Sequence, residues 1–526
     1  MRFRYFVFIA AGLTALPQLE AQGQGQGRRQ GGGQPATAAQ PDAAAKSSGS
    51  EPFPAPPAVE SSSKTKHEIT ISGKQIPYTA TAGTLVLKKE DGKPWASIFY
   101  VAYTRDDVTD AVKRPLTFTF NGGPGSSSVW LHMGALGPKR VEMGAEGEQP
   151  VPPYHLVDNE DTALRFTDLV FIDPVTTGFS RNAPGENPAQ FHSFDGDLES
   201  VAEFIRLWTT RFERWDSPKF LAGESYGTTR ASALSQYLLQ HHGIYLNGIT
   251  LISSVLNFET ISFAPGNDLP FILYLPSYTA TAWYHKKLPK DLGDLEKALG
   301  ESRRFASNEY TVALMKGDKL TAAERANVAR QLARLTGLSE DFVEESNLRI
   351  SISRFTKELL RKERRTVGRY DSRLEGVDHD SAGENPEYDP SYASVQGAYT
   401  AAFNDYVRGE LKFESDLPYE ILTGKVRPWS FNRFENQYLN TAEMMRQAMS
   451  QEPNLKVMIA NGYYDLATPF FATEYTVNHL GLDPSLSNNV SLTYCGAGHM
   501  LYTKKSCLDA LGKSMADFYK NTSGTP

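Results

Sequence analysis

Three residues far apart in the chain have the types that acyl transfer needs. Ser225 lies in Gly223-Glu224-Ser225-Tyr226-Gly227, a Gly-x-Ser-x-Gly pentapeptide. Asp465 ends Asn461-Gly462-Tyr463-Tyr464-Asp465, and His499 stands in Cys495-Gly496-Ala497-Gly498-His499-Met500. A serine hydroxyl is a poor nucleophile at neutral pH. It needs a histidine to take its proton, and the histidine needs a carboxylate to fix its tautomer and stabilise the imidazolium. Each member also has a plainer reading. The pentapeptide occurs by chance, a strand-end aspartate is often a turn residue, and a loop histidine can be structural. A fourth stretch, Asn121-Gly122-Gly123-Pro124-Gly125-Ser126-Ser127-Ser128, is a glycine-rich loop. The spacings that cradle phosphates are absent from it. It either offers backbone N–H groups to an oxyanion or is an ordinary tight turn.

The elements around these residues favour catalysis. Residues 219–222 form an apolar run suited to a buried strand, and 228–239 carry apolar residues at helical spacing. A serine on such a strand-to-helix turn is the nucleophile elbow of the α/β-hydrolase architecture. The order Ser225, Asp465, His499 also belongs to that architecture, not to the trypsin-like or subtilisin-like arrangements. Further strands are predicted at 116–120, 168–172, 248–255, 455–460 and 491–494. Helices are predicted at 197–212, with Val201, Phe204, Ile205 and Trp208 on a core face, and at 508–519. This alternation implies a mostly parallel sheet. Each candidate then sits just past the C-terminal end of a strand, where open parallel sheets hold their sites. Upstream, 67–72, 83–88 and 97–103 alternate as strands of an antiparallel meander, with a turn at Glu90-Asp91-Gly92. The predicted fold is α/β: a mostly parallel central sheet with helices on both faces and a helical cap insertion.

The remaining stretches set the boundaries. Residues 1–21 read as a signal peptide, with Arg2 and Arg4 before a short apolar stretch and Ala21 at the cleavage point; an uncleaved anchor is the alternative. Residues 22–66 are rich in Gly, Gln, Ala, Pro and Ser and read as a disordered linker. The hydrolase core would then run over 67–257 and 433–526. Residues 258–432 form a charged, largely helical cap, with helices at 321–335 and 351–365. Its many basic residues read as a solvated face before a binding patch. The loop at 378–384 is acidic but lacks the order of a calcium loop. With 526 residues, 40% of them hydrophobic, the chain can bury a sizeable core; a net charge of −7 argues against a nucleic-acid partner. No run in the mature chain is long and apolar enough to span a membrane. Cys495 and Cys507 are the two cysteines; in an exported protein they either pair or remain two thiols.

Taken together, Asn121-Gly-Gly-Pro-Gly-Ser-Ser-Ser, Asp173-Pro-Val-x-x-Gly-Phe-Ser, Gly223-Glu-Ser-Tyr-Gly and Gly498-His-Met resemble the serine carboxypeptidases, peptidase family S10. The resemblance runs from about residue 67 to the C-terminus. It implies that Ser225, Asp465 and His499 are the triad and that Gly123 and Tyr226 give the backbone N–H pair of the oxyanion hole. It implies that Asn121 and Glu224 hold the free C-terminal carboxylate of a peptide, and that the enzyme works best at acid pH. Two carboxylates cannot lie together in a partly dry site unless one takes up a proton. Glu224 must therefore be protonated, or share a proton, when substrate arrives. Two positions depart from the family's pattern. Ala135 stands where eukaryotic relatives often carry a second glutamate, and Ser126 stands where they commonly carry cysteine. The leading expectation is an exported enzyme, periplasmic or extracellular, acting on peptide or protein C-termini without metal or cofactor. An esterase or acyltransferase would use the same triad, and a catalytically silent binding protein on this fold is the reading of a different class.

Overall fold

The computed structural model describes residues 55–523. The expected signal peptide and most of the expected linker lie outside the described residues. Within them, strand β1 (Ser61–Ile71) starts earlier than the boundary at residue 67, so the stretch read as linker already pairs in its last six residues. Alternating Thr, Lys and Ser residues there suit an edge strand with solvent on one side.

Period-two alternation supplies two cores from one sheet. In β3 (Pro94–Arg105), Phe99, Val101 and Tyr103 face one core, while Ile98, Tyr100 and Ala102 face the other. With β2 (Lys74–Lys88), β1 and β3 form the predicted antiparallel meander. The sheet continues through β4 (Leu116–Phe120), β5 (Asp168–Ile172), β6 (Lys219–Ser225), β7 (Gly248–Ser254), β8 (Lys456–Gly462) and β9 (Val490–Cys495), with the short strand Arg181–Asn182 pairing on β3. Their order is β1-β2-β3-β5-β4-β6-β7-β8-β9, and every pair from β5 to β9 is parallel. Helices α1 (Phe194–Arg211), α2 (Tyr226–His242) and α3 (Ala442–Gln451) cover one face. Helices α4 (Pro390–Gly409) and α5 (Lys505–Thr522) cover the other.

The insertion is not one body. Its own apolar cluster runs from Tyr274 to Val367, built on helices such as Leu269–Tyr284 and Ala322–Thr336. α4, although within 258–432, buries Tyr399, Phe403 and Tyr406 on the sheet beside Phe171 and Tyr103. That face, at spacings of three and four, is long enough to join the main core, so the chain returns to the sheet before residue 432. The helix expected over 351–365 is also shorter. It spans Ile352–Glu358, then gives way to a tight turn and a two-residue strand, Thr366–Val367, paired with Glu375–Gly376. The acidic stretch at 378–384 is a loop, and Asp378 in it forms a buried ion pair with Lys357.

Cys495 and Cys507 are paired, with Cα atoms 5.9 Å apart. The bridge spans the end of β9 to the first turn of α5 and so encloses the loop that carries His499. In the chain-entropy picture a loop of this length stabilises by about 3 kcal/mol. Replacing both cysteines by serine should lower the unfolding free energy by about that amount, read from urea midpoints. An unchanged midpoint would show that the bridge contributes nothing.

Candidate active site

The elbow is built by a residue that its backbone holds under strain. Ser225 has φ 60° and ψ −129°, outside the region that an ordinary side chain prefers. This lifts its half-buried side chain from the end of β6 at the start of α2. The turn fits only because its neighbours lack side chains. A Cβ on Gly227 would lie 2.7 Å from the Phe120 carbonyl oxygen, and one on Gly122 would overlap the backbone nitrogen of Tyr226. The glycine-rich loop after β4 is thus packed backbone to backbone on the first turn of α2. Gly123 in that loop has φ 105°.

The loop is anchored from two sides. The Arg230 guanidinium in α2 donates to the Asn121 carbonyl at 2.7 Å and binds Asp197 of α1 through Nε and Nη2, all buried. From the other side, Thr423 N donates to Gly125 O, and Ser127 N donates to Ile421 O. Ser126 is buried; its hydroxyl donates to Ile421 O and accepts from the Trp130 indole.

His499 and Asp465 are in contact. Nδ1 of His499 lies 2.7 Å from Oδ2 of Asp465, and both side chains are buried. Asp465 also accepts from Ala467 N, Thr468 N and the Thr468 hydroxyl, so its orientation is locked. Burial acts to lower the His499 pKa, but the charge and hydrogen bond of Asp465 outweigh it and hold the imidazole above its usual value. Ser225 is paired in register with Ser254 of β7, and the adjacent Ser253 hydroxyl donates to the His499 carbonyl at 2.6 Å. The strand ends thus bring the serine and histidine segments to one edge of the sheet. Among the described residues no hydrogen bond joins the Ser225 hydroxyl to the imidazole.

Glu224 points into the buried side of the same edge. Its carboxyl is 3% exposed and accepts from the Tyr502 hydroxyl at 2.6 Å. Asn121 lies beside it, and its Oδ1 accepts from Leu131 N. Burial pushes the Glu224 pKa up to about 7, with the Asp465 charge acting in the same direction. The charge of His499 acts the other way and favours the ionised carboxylate.

Several residues at the site escaped the sequence. Tyr370, in the turn between Thr366–Val367 and Glu375–Gly376, accepts from His499 N through its carbonyl at 2.6 Å, with its ring 5.0 Å from the imidazole. The same turn accepts from Leu466 N at the Arg369 carbonyl, and Ser372 donates twice to the Tyr464 carbonyl. Part of the insertion therefore grips both the aspartate and the histidine loops. Nothing periodic marks such a turn. Thr468, three residues after Asp465, was the one addition readable locally, as a residue able to close an Asx-type turn.

A family model described as serine carboxypeptidase matches residues 73–489. Among curated proteins, the pheromone-processing carboxypeptidase KEX1 of Saccharomyces cerevisiae is 32% identical over 172 residues, covering 31% of this chain and 22% of that protein. Serine carboxypeptidase-like 45 of Arabidopsis thaliana is 28% identical over 184 residues, covering 32% of this chain and 36% of that protein. The chain thus spans little more than a third, at most, of these two relatives. The crystal structure of KEX1(delta)p, a prohormone-processing carboxypeptidase from Saccharomyces cerevisiae, superposes with a TM-score of 0.53 at 19% identity, covering 84% of this chain and 91% of that one. It shares the fold.

The close approach at Gly122 gives a test. Gly122→Ala should force the loop away from Tyr226 N and slow organophosphonate labelling of Ser225 by about 100-fold, the scale of losing one oxyanion donor. Labelling at the unmutated rate would show that this contact does not shape the site.

Proposed function

Because the chain belongs to the serine carboxypeptidase family, we propose that it is an exported serine-type carboxypeptidase that releases C-terminal residues through an acyl-enzyme. The observation that carries this reading is the buried Glu224 carboxyl, beside Asn121 and next to the elbow serine. An esterase has no use for a group that must be protonated to accept a partner carboxylate; a peptidase acting on free C-termini does.

In the proposed reaction the terminal carboxylate docks on Asn121 and protonated Glu224. Ser225 passes its proton to Nε2 of His499 as its oxygen attacks the scissile carbonyl. Asp465, on Nδ1, stabilises the imidazolium. Backbone N–H groups of Gly123 and Tyr226 receive the oxyanion, where preorganised donors act most strongly. His499 then returns the proton to the leaving amine, and the C-terminal residue departs. Water, deprotonated by His499, attacks the ester left on Ser225 and frees the shortened peptide. The Cys495–Cys507 disulfide supports an oxidising location outside the cytosol, periplasmic or extracellular. Among the described residues no helix is long and apolar enough to cross a membrane.

The two proton requirements oppose each other, because acid keeps Glu224 protonated but also protonates His499, whose pKa is raised. Acylation needs neutral His499, and docking needs protonated Glu224. As pH rises through about 7, Glu224 ionises and repels the substrate carboxylate. KM for a free-acid peptide should then climb about tenfold per pH unit, while KM for the amidated peptide stays flat. In Glu224→Gln the climb should vanish, because a neutral amide donates at every pH. Equal preference for free-acid and amidated peptides would point instead to an esterase or acyltransferase.

A further inference from the structure

The chain carries alanine at 135, where the resemblance leads one to expect a second carboxyl beside Glu224, yet Glu224 is not left with a bare partner. Ala135 is buried in the turn His132–Leu136. At its neighbour Gly134, a Cβ would overlap the Tyr502 ring and lie 2.5 Å from the Tyr399 hydroxyl. The space beside that turn is thus filled by two phenols. One of them, Tyr502, donates to Glu224 Oε2 at 2.6 Å. Tyr502 is itself buried and sits three residues beyond His499, so the disulfide-closed loop holds both groups.

We propose that Tyr502 is a positioning residue of the terminal-carboxylate site: its hydroxyl keeps Glu224 Oε2 as an acceptor, so the acid proton that docking requires sits on Oε1. This rests on the carboxypeptidase reading for its purpose, though not for its geometry. A carboxyl has two oxygens that can carry its proton. Of the side-chain hydrogen bonds among the described residues, one reaches the Glu224 carboxyl, from the Tyr502 hydroxyl, while the Asn121 oxygen accepts from Leu131 N. A phenol that donates to one oxygen chooses between the two. Burial holds Tyr502 well above the usual phenol range, so it stays a donor throughout the working pH. Two carboxyls would share a proton and lose it in coupled steps. A carboxyl and a phenol leave Glu224 as the one acid of that pair that changes state.

The groups that face Glu224 come from four elements besides its own strand. They are Asn121 after β4, Asp465 after β8, His499 and Tyr502 after β9, and Tyr399 on α4, a neutral phenol whose ionisation the Glu224 charge opposes. Of these, the Tyr502 hydroxyl bond favours the ionised carboxylate, as the charge of His499 does. Removing it must therefore raise the pH at which Glu224 ionises.

Infrared difference titration of the full chain reads this without substrate, with the carboxyl band of Glu224 assigned as the one missing from Glu224→Gln. Tyr502→Phe should move the midpoint up by about one pH unit. The alkaline rise in KM for free-acid peptides should move with it. Tyr399→Phe, with no hydrogen bond to Glu224, should leave the midpoint nearly in place. If Tyr502→Phe does not fold, 3-fluorotyrosine at 502, a stronger donor, should move the midpoint down. A midpoint unmoved, or moved the other way, in the variant that folds overturns the proposal. If the midpoint moves as stated but the unmutated protein shows no preference for free-acid over amidated peptides, the carboxypeptidase reading fails while the Tyr502–Glu224 coupling stands.

Discussion

Backbone meets backbone where the loop after β4 crosses the first turn of α2, and the site is arranged around that contact. There is no room between Gly122 and Tyr226 N for one side-chain atom. The contact sets the height of the glycine-rich loop over the elbow, and with it the separation of any pair of N–H donors above Ser225. Neighbouring interactions serve to keep it closed. Arg230 draws the Asn121 carbonyl down while spanning to Asp197, and the segment at 421–423 holds the far side of the loop. Truncating either member of the Arg230–Asp197 pair would strand a buried charge, which is why such pairs resist change even when they add little net stability.

Electrostatics at the site follow from crowding acids together out of water. Asp465 and Glu224 are both buried near one imidazole. Asp465 has three donors of its own, two from backbone N–H groups, which lock its orientation. Glu224 accepts from the Tyr502 hydroxyl, which does not offset its burial, so its pKa is pushed up. In the proposed reaction two similar side chains thus take different tasks: Asp465 orients the base and Glu224 offers a proton.

The insertion contributes more than a roof. Its turn at 368–374 hydrogen-bonds the loops that carry Asp465 and His499, and α4 seals the sheet beneath them. Loops after β8 and β9 would otherwise be held at one end by strands and at the other by short helices. Bracing from a third element converts them into a fixed frame, which matters because small displacements of a base cost rate steeply.

The strand-loop-helix rhythm, the chain order of serine, aspartate and histidine, and the elbow at Ser225 were legible in the sequence. Each depends on local chemistry: alternation of apolar residues, small residues at tight turns, and one nucleophile per motif. The antiparallel start was legible for the same reason, although β1 begins before its pattern becomes apolar. What the linear chain left open was settled by packing at a distance. Whether Cys495 and Cys507 pair depends on two Cα atoms coming within 5.9 Å. That α4 belongs to the core depends on which face finds the sheet. The partners of Glu224 and His499 at Tyr502 and Tyr370 depend on loops from separate parts of the chain meeting out of water. Periodicity describes a residue's own element; hydrogen bonds between elements have no period, and only the folded chain decides them.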